Sequence, residues 1–215
     1  MKKIYIIILV VFGWVGVAQA SELASSDKLL QLQHEWAHIN YELADNQKEA
    51  AFEALAVKAH AWSAEHPNKV EPLIWEAIIK STYAGAKGGL GALSLMKEAR
   101  DLLLKAEKID AKALNGSIYT SLGSFYYMTP GWPIGFGDDD KAEAYLAKAL
   151  VMAPNDMDAN YFTGDYWLED HKYKKAAEYL QKVIDLPNVE NRLVYSKGRK
   201  VEAANKLEEA KKHIH

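Results

Sequence analysis

With 215 residues, 49% of them hydrophobic, the chain is long enough to bury the core of one domain. A formal net charge of −3 argues against nucleic acid and against anionic membrane surfaces as main partners. The absence of cysteine excludes disulfide staples and lipidation at a cysteine, so the fold must stand on apolar packing.

The chain opens with Lys2 and Lys3, followed by a nearly continuous apolar run from Ile4 to Ala18. Ala18-Gln19-Ala20 then sets small residues at the two positions a signal peptidase reads. This layout predicts a cleaved export signal over residues 1–20 and a mature domain over 21–215. The run is shorter than the about 20 apolar residues of a membrane-spanning helix. The mature form is therefore expected in the bacterial periplasm and not embedded in a membrane. Cleavage removes two lysines and takes the net charge from −3 to −5.

Leu29, Leu32, Trp36, Ile39 and Leu43 recur at three- and four-residue spacing, which predicts an amphipathic helix over 27–44. A second helix is expected over about 47–65, stopping at His66-Pro67, and a third over 71–83 with Pro72 in its first turn. Residues 191–213 are rich in Lys, Glu and Ala and read as a polar capping helix. Its Arg192, Lys197, Arg199 and Lys200 are expected in solvent, or as a clamp for an acidic partner. No stretch alternates with period two, so no sheet is expected.

Three segments share one spacing: Ala99-x-x-x-Leu103-x-x-Ala106, Ala142-x-x-x-Leu146-x-x-Ala149 and Ala176-x-x-x-Leu180-x-x-Val183. The last two stand 34 residues apart. Pro154 and Pro187 follow them, each where a second helix should stop. Ahead of them lie Leu122-Gly123-x-x-Tyr126 and Thr163-Gly164-x-x-Trp167, where the glycine lets two helices approach and the aromatic fills the space alongside. These residues resemble the tetratricopeptide repeat (TPR) family at its defining positions. The match covers residues 95–187 and is best over 114–187. The resemblance implies an all-α, right-handed superhelix of about four helical hairpins plus a C-terminal capping helix. It also implies a concave groove, lined by the first helices, that binds peptides or other ligands. The hairpin pattern and the style of its insert are similar, more weakly, to the T component associated with TRAP-type transporters. That similarity implies a ligand-sized pore or groove, although those proteins look like lipoproteins and this chain lacks the lipidation cysteine.

Two segments depart from the period. Ala99 and Ala142 stand 43 residues apart, and most of the excess falls in Pro130–Gly137. Gly85–Gly91 reads as a similar extension in the preceding hairpin, with the next helix starting near Ala92. Both should emerge on one edge of the array, and long inserts in compact domains are more often functional than accidental. The Lys87 segment, glycine-rich and ahead of a helix, would suit an anion or serve as a flexible connection. Trp132 and Phe136 either pin their loop or face a ligand. Asp138-Asp139-Asp140 reads as a helix cap rather than a metal site.

Tyr119, Tyr126, Tyr127, Tyr161, Tyr166 and Trp167 crowd two first helices. Tyr126 and Trp167 hold packing positions of the repeat, and others of the group should face the groove. The candidate partner-binding set is therefore Lys87, Tyr119, Tyr127, Trp132, Phe136, Tyr161 and Tyr166.

His34-Glu35-Trp36-Ala37-His38 fits the H-E-x-x-H signature of zinc hydrolases. At about 100° per residue, however, His34 and His38 fall opposite the apolar stripe of their helix. No third ligand stands in a recognisable motif, and Glu65 and His66 are merely available. Ser117, Ser121 and Ser124 read as small polar residues without a special role. The expectation is a periplasmic binding or scaffold protein for a peptide or protein partner, without cofactor, metal or catalytic residues. The alternatives are an accessory protein that binds a small organic ligand for solute transport, and the discounted zinc hydrolase.

Overall fold

The computed structural model describes residues 15–214. Residues 1–14 of the expected export signal lie outside them. Among the described residues the chain is all-α, with nine helices in sequential packing. They are α1 (Val15–Glu42), α2 (Asp45–Glu65), α3 (Val70–Lys87), α4 (Gly89–Ile109), α5 (Ser117–Met128), α6 (Asp139–Met152), α7 (Met157–Glu169), α8 (Tyr173–Asp185) and α9 (Leu193–Lys211). A short 3₁₀ turn, Ala113–Gly116, leads into α5. The β pairing among the described residues is one isolated bridge, Gly131 to Gly137.

Local chemistry sets the boundaries. The Asp138 carboxylate accepts the Lys141 N–H at 3.0 Å and caps α6, and Asp156 caps α7 through the Ala159 N–H at 2.8 Å. α2 stops before Pro67, α6 before Pro154 and α8 before Pro187. α1 begins well ahead of the expected start at Asp27.

Between α3 and α4 the structure corrects the sequence reading. The expected extension over Gly85–Gly91 is helical except for Gly88. Gly88 and Gly89 take φ of +65° and +61°, left-handed values open to glycine, and reverse the chain in a single step. The extension after α5 is present. Its Phe136 ring packs edge-on against Tyr126 at 5.6 Å with the Arg100 guanidinium 4.5 Å above it. Leu93 of α4 lies against Gly135, so this loop rests on α4.

Apolar periodicity becomes packing in the hairpins. Ala99, Leu103, Ala106, Ala142, Leu146, Ala149, Ala176, Leu180 and Val183 are each at most 2% exposed. A methyl on Gly123 would lie 2.7 Å from Leu146 Cγ, and one on Gly164 would lie 2.8 Å from Leu180 Cγ. The two glycines thus let α5 and α7 sit directly on α6 and α8.

The first helix of each hairpin contacts the next: α1 with α3, α3 with α5, α5 with α7, and α7 with α9. α9 then packs on α1 and closes the row. It is no polar cap, because Tyr195, Arg199, Ala203, Leu207 and Ala210 are buried along one stripe. Tyr41 lies on Gly198 and donates to Glu202 at 3.2 Å, and Trp36 meets Tyr195 at 6.4 Å between ring centres.

Candidate functional site

The closed row of inner helices surrounds a lumen of about 1190 Å³. Three kinds of wall line it, and each follows from what its helix carries on the inner face. Trp36, Trp75, Phe125, Tyr161, Phe162 and Tyr195 supply aromatic surface. Ser81, Thr82, Ser117, Thr120, Ser121 and Ser124 form a hydroxyl stripe along α3 and α5. These hydroxyls are small enough to leave the channel open. Several bond to their own helix, as Thr82 does to the Ile78 carbonyl and Ser124 to that of Ser121. Thr82 also accepts the Trp36 indole N–H at 2.9 Å, tying α1 to α3 inside the lumen.

Charge is confined to the wall made by α7 and α9. Arg199, 6% exposed, places Nε 2.8 Å from Asp158 and Nη1 2.6 Å from Glu202. Its guanidinium also lies 4.2 Å above the Tyr161 ring. Burial opposes the charge on Arg199, but the carboxylates of Asp158 and Glu202 outweigh it and hold the guanidinium protonated. Burial likewise pushes the phenols of Tyr41, Tyr161 and Tyr195 upward, so they remain neutral. Asp156 lines the lumen with an exposed surface. Desolvation, then the neighbouring Asp158 charge, pushes its carboxyl up to about 6. Arg192 completes the wall, with its guanidinium 4.0 Å above Tyr195 and 5.6 Å above Trp75.

Of the seven residues singled out in the sequence, Tyr161 lines the lumen. Tyr119 turns toward α6, where it stacks on Tyr145 at 5.9 Å between centres. Tyr127 and Tyr166 border a second, smaller cavity of about 480 Å³ beside Asp139, Asp165, Glu169, Asp170 and Lys206. There Asp165 accepts the Tyr127 hydroxyl at 2.7 Å and pairs with Lys206 at 2.6 Å. Lys87 folds onto its own helix, donating to the Tyr83 hydroxyl at 3.0 Å, with Glu49 at 3.8 Å. Phe136 pins its loop, whereas Trp132 beside it is 89% exposed. Pro130 and Ile134 of that loop reach the lumen, as do Gly85, Gly89 and Leu93, so the two segments expected to meet do share one edge.

The H-E-x-x-H residues each have a separate partner. His34 Nε2 contacts the Asn191 carbonyl, Glu35 pairs with Lys58, and His38 pairs with Glu42 at 2.7 Å. Among the described residues no three potential ligands cluster around a common point.

Sequence reasoning missed the α7/α9 wall. Arg192 and Arg199 read as solvated basic residues or as a clamp for an acidic partner, and Asp156 and Asp158 were not singled out. One signal was available, because Arg199 falls at four-residue spacing between Tyr195 and Ala203 on the buried stripe. An arginine on a buried stripe demands carboxylate partners. No protein-family model matches the chain, and no curated protein matches it either.

Proposed function

We propose that this is an exported, TPR-like binding protein that takes a small organic ligand into its lumen, and that it is not an enzyme. One observation carries the reading: α9 packs on α1 through Tyr41, Gly198, Trp36 and Tyr195, closing the row of inner helices. An extended peptide needs an open groove along which to lay its backbone. A small ligand needs concave walls that bury most of its surface, in a space of roughly 300–1,000 Å³. The lumen, at about 1190 Å³, lies just above that range and carries aromatic walls with a few convergent polar groups. Its charged side chains are engaged mainly with one another rather than set as a nucleophile beside a base. Accessory ligand binding for solute transport, the role implied by the weaker resemblance, is the setting we infer.

A protein partner at the rim is a second reading, favoured by one feature. Trp132 and Ile134 stand 89% and 67% exposed on the loop that borders the lumen, close in sequence to exposed Met128. Such a patch on an edge loop suits a partner that delivers or collects the ligand.

The lumen is tested with the neutral apolar dye N-phenyl-1-naphthylamine. It should bind with 1:1 stoichiometry and perturb the fluorescence of Trp36 and Trp75. Ser121→Trp, which fills the channel from α5, should abolish binding while leaving the helical circular dichroism unchanged. Dye binding that survives in a folded Ser121→Trp variant would place the apolar site outside the lumen and sink the reading.

A further inference from the structure

The lumen holds two arginines in opposite situations. Arg199 is neutralised by Asp158 and Glu202. Arg192 has no carboxylate within ion-pair distance among the described residues, and its Nε is buried without a hydrogen-bond partner. Lys80 is likewise paired with Glu76 and Glu98, and Lys206 with Asp165. Arg192, without such a pair, lines the ligand space.

Its surroundings prepare it for an anion. Stacking over Tyr195 and Trp75 holds the guanidinium by its face. Arg192 lines the lumen, where its remaining N–H donors would meet a planar two-oxygen acceptor. Arg192 is also the N-cap of α9, a helix of 19 residues whose first turn has no side-chain cap, so the positive end of the helix adds to the same field. The acids nearby do not favour a cationic head instead. Asp158 and Glu202 are committed to Arg199, and Asp156 gives an oxygen to the Ala159 N–H.

We propose that the lumen binds an amphipathic organic monocarboxylate, its carboxylate held by Arg192 and its apolar body lying along Trp36, Trp75, Ile78, Met96 and Phe125. This rests on the lumen being the ligand site and adds the chemical class of the ligand. The hydroxyls of α3 and α5 further admit a body that carries hydroxyl groups.

Three probes of equal chain length test it: decanoate, 1-decanol and decylamine, titrated into the full protein at pH 7.5 by calorimetry and by tryptophan fluorescence. Decanoate should bind at least tenfold more tightly than decanol, and decylamine most weakly. Arg192→Gln should remove the decanoate preference and leave decanol affinity within about twofold, with decanol binding itself reporting an intact lumen. Arg192→Lys, which keeps charge but loses the planar fork, should retain only part of the preference. Equal binding of decanoate and decanol to wild type, or tightest binding of decylamine, would overturn the carboxylate site and leave the lumen reading standing. A decanoate preference that persists in Arg192→Gln would also overturn it. Binding of none of the three would remove the lumen reading with it.

Discussion

The ring of Tyr41 occupies the space that a side chain at Gly198 would need: a Cβ there would sit 2.3 Å from the ring carbons. This contact joins the first described helix to the last and turns a row of hairpins into an enclosure. Gly198→Val should therefore push α9 off α1. Overpacking of this kind costs about 2 kcal/mol, a fall in melting temperature of roughly 4–8 °C for a chain of this size. Helical circular dichroism should be kept, the radius of gyration in solution scattering should rise, and N-phenyl-1-naphthylamine binding should be lost. Unchanged dye binding in the variant would mean that closure at Tyr41 does not build the lumen.

The hairpin glycines divide into two classes. Gly123 and Gly164 face Leu146 and Leu180 with no room for a methyl, whereas Gly85 in α3 has nothing within 4 Å of that position. Gly123→Ala and Gly164→Ala should each destabilise by about 1–3 kcal/mol. Gly85→Ala should stabilise by roughly 0.5–1 kcal/mol, because it lowers unfolded-chain entropy inside a helix. Urea denaturation of the three variants checks the ordering, and a stabilising Gly123→Ala would contradict the packing described.

The repeat was legible because its constraints are local. Leu146 needs Gly123 opposite it, and Leu180 needs Gly164, within a single hairpin. Ring closure was not legible, since it follows from small rotations accumulated between hairpins, and no single spacing encodes their sum. The inward face of α5 was misjudged for a related reason. Tyr119 and Tyr126 are bulky and fill the space beside α6, stacking with Tyr145. Ser117, Ser121 and Ser124 are small, and for that reason they line an open channel. Arg199 concealed the buried face of α9, because a charge breaks an apolar pattern even where its partners make it part of the core.

Asp165 ties three inner helices together, through Tyr127 of α5 and Lys206 of α9. Its own side chain is 5% exposed and that of Lys206 is 29% exposed. Removing either partner therefore has unequal consequences. Lys206→Met strands a buried carboxylate and should cost about 3 kcal/mol. Tyr127→Phe removes one hydrogen bond to a charged group and should cost about 1.5 kcal/mol. Adding Asp165→Asn to Lys206→Met should recover part of the loss, because the stranded charge is gone. Chemical denaturation reads all three, and a larger loss in Tyr127→Phe than in Lys206→Met would place the stabilisation elsewhere.

Asp156 gives the protein an inverted acid response at one position. Its carboxyl titrates at about 6 in the folded chain against an ordinary 3.8. Between those values the folded chain holds a proton that the unfolded chain has released. The contribution of this group to stability therefore falls as pH rises from about 4 to about 6, opposite to an ion-paired carboxylate. The group is exposed on the lumen wall, so solvent screening should hold the effect to about 1 kcal/mol. The charges facing it are Asp158 on α7, which raises its affinity for the proton, and Arg192 at the start of α9, which lowers it. Asp156→Asn keeps a side-chain acceptor for the α7 cap and cannot ionise. The variant should match wild type near pH 4 and exceed it near pH 7. Asp138, held low by Lys141, changes only below this window and equally in both chains. Denaturation midpoints at pH 4, 5, 6 and 7 measure the difference between the two proteins. A difference that stays constant across the series would mean that Asp156 titrates as an ordinary surface carboxylate and that the α7/α9 wall is not desolvated there.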